Sequence, residues 1–194
     1  FKNRHLLDQY SFVQLARKVV GVGSVGTRAW VALLVGRDLG DPLFLQVKQA
    51  EASVLQPYTE PSAFSSNGER VVAGQSLMQA ASDIFLGWNV VTGPDGVTRD
   101  YYLRQLWDWK ASADIQAMTP TVLDAYARIC GWTLARSHAR TGDRLAIAAY
   151  LGKSDSLAMA LTEFATAYAD QNERDHAALV DAIASGRVQA QTGI

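Results

Sequence analysis

The sequence predicts an α+β protein: a five-stranded antiparallel sheet with one packed helix, followed by a helical C-terminal layer. Three observations carry this. Between residues 19 and 110, short β-branched and aromatic runs alternate with turn chemistry such as Gly36-Arg37-Asp38-Leu39-Gly40-Asp41-Pro42 and Thr92-Gly93-Pro94-Asp95-Gly96. One amphipathic segment, about Glu69 to Ser82, interrupts the strands. From Thr119 onward the apolar spacing lengthens to three or four residues, the helical period.

The chain has 194 residues, enough for one domain that buries roughly 70% of the surface its unfolded form exposes. A hydrophobic content of 48%, a net charge of −1 and five tryptophans exclude disorder and argue against a nucleic-acid binder that works by bulk charge. The charge is uneven: residues 1–48 carry seven Lys or Arg against three acids, and residues 150–194 carry three against six. The basic part suits an anionic ligand, or is simply a solvated bias. One cysteine, Cys130, excludes an intramolecular disulfide and a cysteine metal cluster, and fits a reducing cytoplasm. No apolar run reaches the length of a membrane span, so no membrane partner is expected.

Residues 3–18 read as an amphipathic helix on Leu6, Leu7, Tyr10, Val13 and Leu15, and residues 1–18 are expected to form an N-terminal helical segment. Next comes Gly21-Val22-Gly23-Ser24-Val25-Gly26, a Gly-x-Gly-x-x-Gly loop with an apolar run on each side. In a dinucleotide fold the third glycine opens a helix. Here Trp30, Val31, Leu33, Leu34 and Val35 follow it, which suits a strand. Strand, glycine loop, strand is the geometry of a nucleotide-covering hairpin, as in protein kinases. The strand Leu43–Lys48 then places Leu43, Leu45 and Val47 on one face and Phe44, Gln46 and Lys48 on the other. Lys48 ends next to the hairpin, where its ammonium can reach phosphates under the loop; a hydrogen bond to a charged group is worth roughly 1.5–3 kcal/mol. The alternative is a solvent-facing strand-end lysine.

Residues 52–68 read as a loop, and Asn67 or Gly68 as the cap of the following helix. That helix faces the sheet with Val71, Val72, Leu77, Met78 and Ala81. In a kinase-type site it would also supply a partner for Lys48: Glu69 has the chemistry, Gln75 the more central position, and Glu51 is a third, local option. Strands over Asp83–Val91 and Tyr101–Leu106 complete the sheet. The connector Arg104-Gln105-Leu106-Trp107-Asp108-Trp109-Lys110 reads as a hinge whose backbone, at Gln105 and Leu106, pairs with a base edge, or as a corner anchored by its tryptophans. Thr119-Pro120 starts a helix running to Thr141, and His138 on its apolar stripe reads as a hydrogen-bonded core residue. Helices at about Arg144–Tyr150, Ser154–Asp170 and Glu173–Ala184 follow, with a frayed tail over 187–194. The expected organisation is thus a nucleotide-binding sheet over 19–110 and a helical subdomain over 119–186.

Several of these blocks, in one order, resemble a single family: Val19 to Arg28, Phe44 to Lys48, Arg70-Val71-Val72-Ala73-Gly74-Gln75, Ala81 to Trp88, Tyr102 to Leu106, and Leu134 to Asp143. The chain looks like a member of the bacterial family known as domain of unknown function 2252, over Arg17 to about Gly186. Members of that family are longer and carry, nearer their amino terminus, a Gly-Asp-x-His-x-x-Asn segment and an Asp-rich strand similar to the catalytic and metal-binding loops of aminoglycoside-type kinases. The resemblance implies a kinase-like fold in permuted order, of which this chain is the glycine-loop half and a kinase N-lobe-like domain. It implies ATP with magnesium as cofactor, metal ligands outside this chain, and an acceptor substrate that no residue here identifies. The nucleotide-binding residues it implies are Gly21, Gly23, Ser24, Gly26, Thr27, Arg28, Lys48, Glu69, Gln75, Gln105 and Leu106. Gly142-Asp143 is followed by Arg144-Leu145-Ala146-Ile147, without the His and Asn of a catalytic loop, so no catalytic residue and no metal ligand is expected here. Arg28 departs from the kinase pattern, which has an apolar residue there, and suggests an extra phosphate contact. Two functions follow: the nucleotide-binding lobe of a phosphotransferase-like protein, or a non-catalytic binding module of the same shape.

Overall fold

In the computed structural model, the residues described are 4–18, 24, 26–107 and 112–190. The chain forms two compact units, Phe1–Gly142 and Asp143–Ile194. The first is an α+β unit built on a five-stranded antiparallel sheet. Its strands are β1 (Ser11–Arg17), β2 (Ala29–Val35), β3 (Pro42–Ala50), β4 (Gly87–Thr92) and β5 (Thr98–Gln105), in the order β1-β2-β3-β5-β4.

The expected N-terminal helix is corrected. Only Arg4–Leu7, α1, is helical, and residues 11–17 are the edge strand β1. Its pairing with β2 runs Phe12 opposite Leu34 and then Gln14 opposite Leu33, so Val13 is an extra, bulged residue. That bulge breaks the period-two pattern and lets the apolar residues imitate a helical stripe. The antiparallel partner strand β2 pairs the backbone groups of residues 11–17 that point toward it, which outweighs the weak helical pattern. The strand before the glycine loop therefore lies ahead of Val19 and Val20, which are outside the described residues.

The turn after β2 is held by the Asp38 and Asp41 carboxylates, which accept from the Gly40 and Arg37 N–H groups at 2.9 and 3.2 Å. Helix α2 spans Asn67–Met78, and its cap is Ser66, whose Oγ accepts from the Glu69 N–H at 3.0 Å. Asn67, expected as the cap, instead donates its backbone N–H and its side-chain amide to Asp100 at 2.8 and 3.0 Å. The segment expected to open the fourth strand at Asp83 is a pinned turn. Asp83 accepts from the Phe85 N–H and, across the fold, from the Gln105 N–H, so pairing begins only at Gly87.

The sheet has two differently covered faces. On one, Ala32, Leu43, Leu45 and Phe85 form the core, with Leu6, Leu7, Tyr10 and Leu34 packed against them. Tyr10 meets Phe85 edge to face, 6.3 Å between ring centroids. On the other lies α2, close enough that Gly68 sits against the Tyr101 carbonyl and the Trp88 side chain. Helix α3 (Pro120–Thr141) belongs to this same unit, so the division falls after it rather than before. It leans on α2, Arg140 Nε donating to the Leu77 carbonyl at 3.0 Å. Thr119 caps it as expected. His138 is not a core residue: it is exposed, and its described bond is its backbone carbonyl accepting from the Gly142 N–H.

The second unit holds α4 (Arg144–Leu151), capped by the Asp143 carboxylate, and α5 (Ser156–Ala184). The two helices expected over 154–184 are one. Neither Gly nor Pro interrupts residues 156–184, and Gln171 bridges the expected break by bonding to both Arg174 and Asp175. The tail does not fray at Gly186. Gly186 takes φ +73° and the Val188 N–H returns to the Ala182 carbonyl; residues 191–194 lie outside those described.

Candidate functional site

The glycine loop joins β1 to β2, and the bond from the Lys18 N–H to the Ala29 carbonyl closes its base at 2.9 Å. Gly21 and Gly23, both expected phosphate contacts, lie outside the described residues. At the loop's far end, Thr27 donates its N–H and its hydroxyl to the Ser24 carbonyl at 3.1 and 2.8 Å. Gly26 takes φ +82° in that turn, the left-handed value that makes a glycine the fitting residue.

Strand β3 brings Lys48 under this turn. Its register places Lys48 opposite Ala29 on β2 and Tyr102 on β5. Ala29 is 1% exposed, so the three strands are closely packed at this row. Lys48 Nζ donates to Ser24 Oγ at 3.1 Å, which ties the loop to the strand lysine through a partly buried bond. The loop hydroxyl and the ammonium thus converge on one spot, a donor pair suited to a phosphate oxygen.

Two of the three residues offered as partners for Lys48 have described side-chain bonds to other residues. Glu69 accepts from Ser65 Oγ at 3.0 Å, and Glu51 accepts from Gln49 Nε2 at 3.0 Å. Gln75 stands in the last turn of α2, its carbonyl accepting from the Gln79 N–H. The expected hinge donors are also used internally. The Gln105 N–H goes to Asp83 and the Leu106 N–H to the Phe44 carbonyl.

Arg28 stands on the opposite face of the sheet from Lys48. The Gln49 N–H bonds to its carbonyl at 2.8 Å, one residue out of phase with the Ala29–Lys48 pair. Its guanidinium reaches Asp95 at 3.2 Å, and Arg99 holds the same carboxylate at 2.8 Å. The Arg99 hydrogen bond, followed by the Val97 N–H, holds the Asp95 carboxyl far below the usual carboxylate range. Arg28 thereby rims a cavity of about 400 Å³ over Trp30, Val47, Tyr101 and Leu103.

Three residues of the Lys48 face were not among the expected site residues: Gln46, already placed on that face by the strand period, and Tyr102 and Arg104. Gln46 pairs with Arg104 across the β3–β5 ladder and is 4% exposed. Its Oε1 accepts from Arg104 Nε and Nη2, both at 3.3 Å. Burial raises the Tyr102 phenol above its ordinary pKa, and the nearby Arg104 charge partly offsets this. Period-two alternation along Tyr101–Leu106 was available as a signal, since it puts Tyr102 and Arg104 on one face. Only the register joins that face to Lys48.

The chain matches the family described as "Uncharacterized protein conserved in bacteria (DUF2252)" over residues 2–182, and it belongs to that family. No curated protein and no solved structure matches it.

Proposed function

We propose that this member of the family is the nucleotide-binding lobe of a kinase-like phosphotransferase, with ATP as the ligand of the Lys48 face. The observation that carries the reading is the 3.1 Å bond from Lys48 Nζ to Ser24 Oγ, which sets the strand lysine beside the turn between Ser24 and Thr27. An ammonium on a central strand and the Ser24 hydroxyl beside it suit a phosphate group, and in phosphoryl transfer positioning and charge neutralisation are most of the catalysis. Magnesium, when bound with the nucleotide, neutralises phosphate charge. Among the described residues no group of three or more His, Cys, Asp or Glu is gathered to hold a metal ion. A cytoplasmic setting goes with this reading, on the single free Cys130. No helix among the described residues is long and apolar enough to cross a membrane.

One observation favours a second reading, a binding module that keeps this shape without catalysis. The Gln105 and Leu106 N–H groups, which would meet a base edge, are already bonded within the protein. Calorimetric and thermal-shift titration with MgATP separates the two. A nucleotide lobe is stabilised by about 2.7 kcal/mol at a hundredfold excess of ligand over Kd, and Lys48→Ala removes the stabilisation while the unliganded melting temperature changes little. Indifference of the unmodified protein to MgATP and MgADP would overturn the first reading in favour of the second.

A further inference from the structure

We infer that Arg104 is a second anion-binding residue on the Lys48 face, and that this face takes a ligand with more than one negative charge. The inference rests on the reading of that face as a phosphate site. Lys48 is opposite Tyr102 on the neighbouring strand, and Arg104 is two residues further along it. The two cations are therefore diagonal neighbours on one face, about 7–8 Å apart at their backbones and within reach of a single polyanion. The half-buried Tyr102, opposite Lys48 and two residues before Arg104, shares their face.

The state of Arg104 is what points to a ligand. It is half-buried, yet among the described residues no carboxylate lies within 4 Å of its guanidinium. Arg28 and Arg99, by contrast, share the Asp95 carboxylate. A cation drawn out of water without a counter-charge is costly, and an arriving anion relieves that cost. Arg104 is nevertheless held in place: Gln46, itself 4% exposed, accepts two of the five guanidinium N–H donors. Among the described residues no acceptor is bonded to the other three. A glutamate at position 46 could hold the same group but would cancel its charge, whereas the neutral amide orients the guanidinium and leaves the charge available. Gln46 is thus a positioning residue, and Arg104 is the residue that touches the ligand.

The test is calorimetric titration of the full chain with MgATP and with inorganic tripolyphosphate, for the unmodified protein and for Arg104→Gln, Gln46→Glu and Lys48→Ala. Loss of a charge-assisted contact weakens binding of both ligands about 10- to 100-fold in Arg104→Gln. Gln46→Glu, nearly isosteric, is expected to weaken both as well while its melting temperature stays close to that of the unmodified protein. The fall of affinity with salt should also be shallower in Arg104→Gln, which a purely structural role would not produce. If the protein binds ATP and both the Arg104 and Gln46 variants bind it equally well, the inference is wrong and the nucleotide reading stands. If tripolyphosphate binds in an Arg104-dependent way but ATP does not, the two-cation site stands and the nucleotide reading falls. Binding of neither ligand overturns both.

Discussion

Gly68, the second residue of α2, sets how closely that helix lies on the sheet, and a methyl group placed there tests the packing directly. A Cβ at Gly68 would lie 2.5 Å from the Tyr101 carbonyl oxygen and 3.1 Å from Trp88 Cβ. Neither atom can retreat alone, because Tyr101 is paired on both sides, with Gln49 on β3 and Asn89 on β4. The strain must be relieved by lifting α2 off the sheet, an overpacking cost of about 1–3 kcal/mol. The gain in helix propensity is at most about 1 kcal/mol and smaller in a first turn. Gly68→Ala is therefore expected to destabilise by about 1–2 kcal/mol, a fall in melting temperature of about 2–8 °C for a chain of this size. Gly74→Ala, in the same helix, supplies the opposite sign. The nearest atom to its Cβ is the flexible Met78 Cε at 4.0 Å, so propensity alone acts and stability rises by about 0.5–1 kcal/mol. Scanning calorimetry of the two variants side by side decides the matter. A Gly68→Ala protein as stable as the unmodified one, with Gly74→Ala stabilised, would refute the placement of α2 against the Tyr101 carbonyl.

Two further outcomes follow from the hydrogen bonding. Asp83→Ala leaves the Phe85 and Gln105 N–H groups without their acceptor and should cost about 2–4 kcal/mol in urea unfolding, with Asp83→Asn losing about half as much; a loss within error of zero would mean that Asp83 does not pin the turn before β4. Asp95 has its pKa lowered by Arg99 and Val97, so its stabilising effect is present above the unfolded carboxylate pKa and is lost as pH falls through the lower folded value. The gap in melting temperature between the unmodified protein and Asp95→Asn should accordingly persist from neutral pH down to about pH 4 and close only below it; a gap already closed at pH 5.5 would contradict the shared Arg28–Asp95–Arg99 contact.

The parts of the fold that were legible are those where one local rule acted alone. Period two identified Leu43–Lys48 within β3, and Thr119-Pro120 marked the start of α3 to the residue. Legibility failed where a tertiary partner changed the rule. The bulge at Val13 disguised β1 as a helix, and the reach of Asp83 to Gln105 across the fold delayed β4 to Gly87. At the candidate site the strand register decides which cations share a face. Arg28 is two residues past the last glycine of the loop, and Arg104 is 56 positions from Lys48, so distance along the chain favours Arg28 as the second cation. Register decides otherwise. Because Ala29 is opposite Lys48, Arg28 must point to the far face, where Asp95 meets it; because Tyr102 is opposite Lys48, Arg104 must share the lysine's face. A slip of one residue between β2 and β3 would bring Arg28 onto the Lys48 face, and a slip between β3 and β5 would take Arg104 off it, since each step along a strand reverses every side chain. The Asp38–Asp41 turn between β2 and β3 therefore keeps Arg28 off the Lys48 face and the β3–β5 pairing keeps Arg104 on it, although no residue of that turn stands at the site.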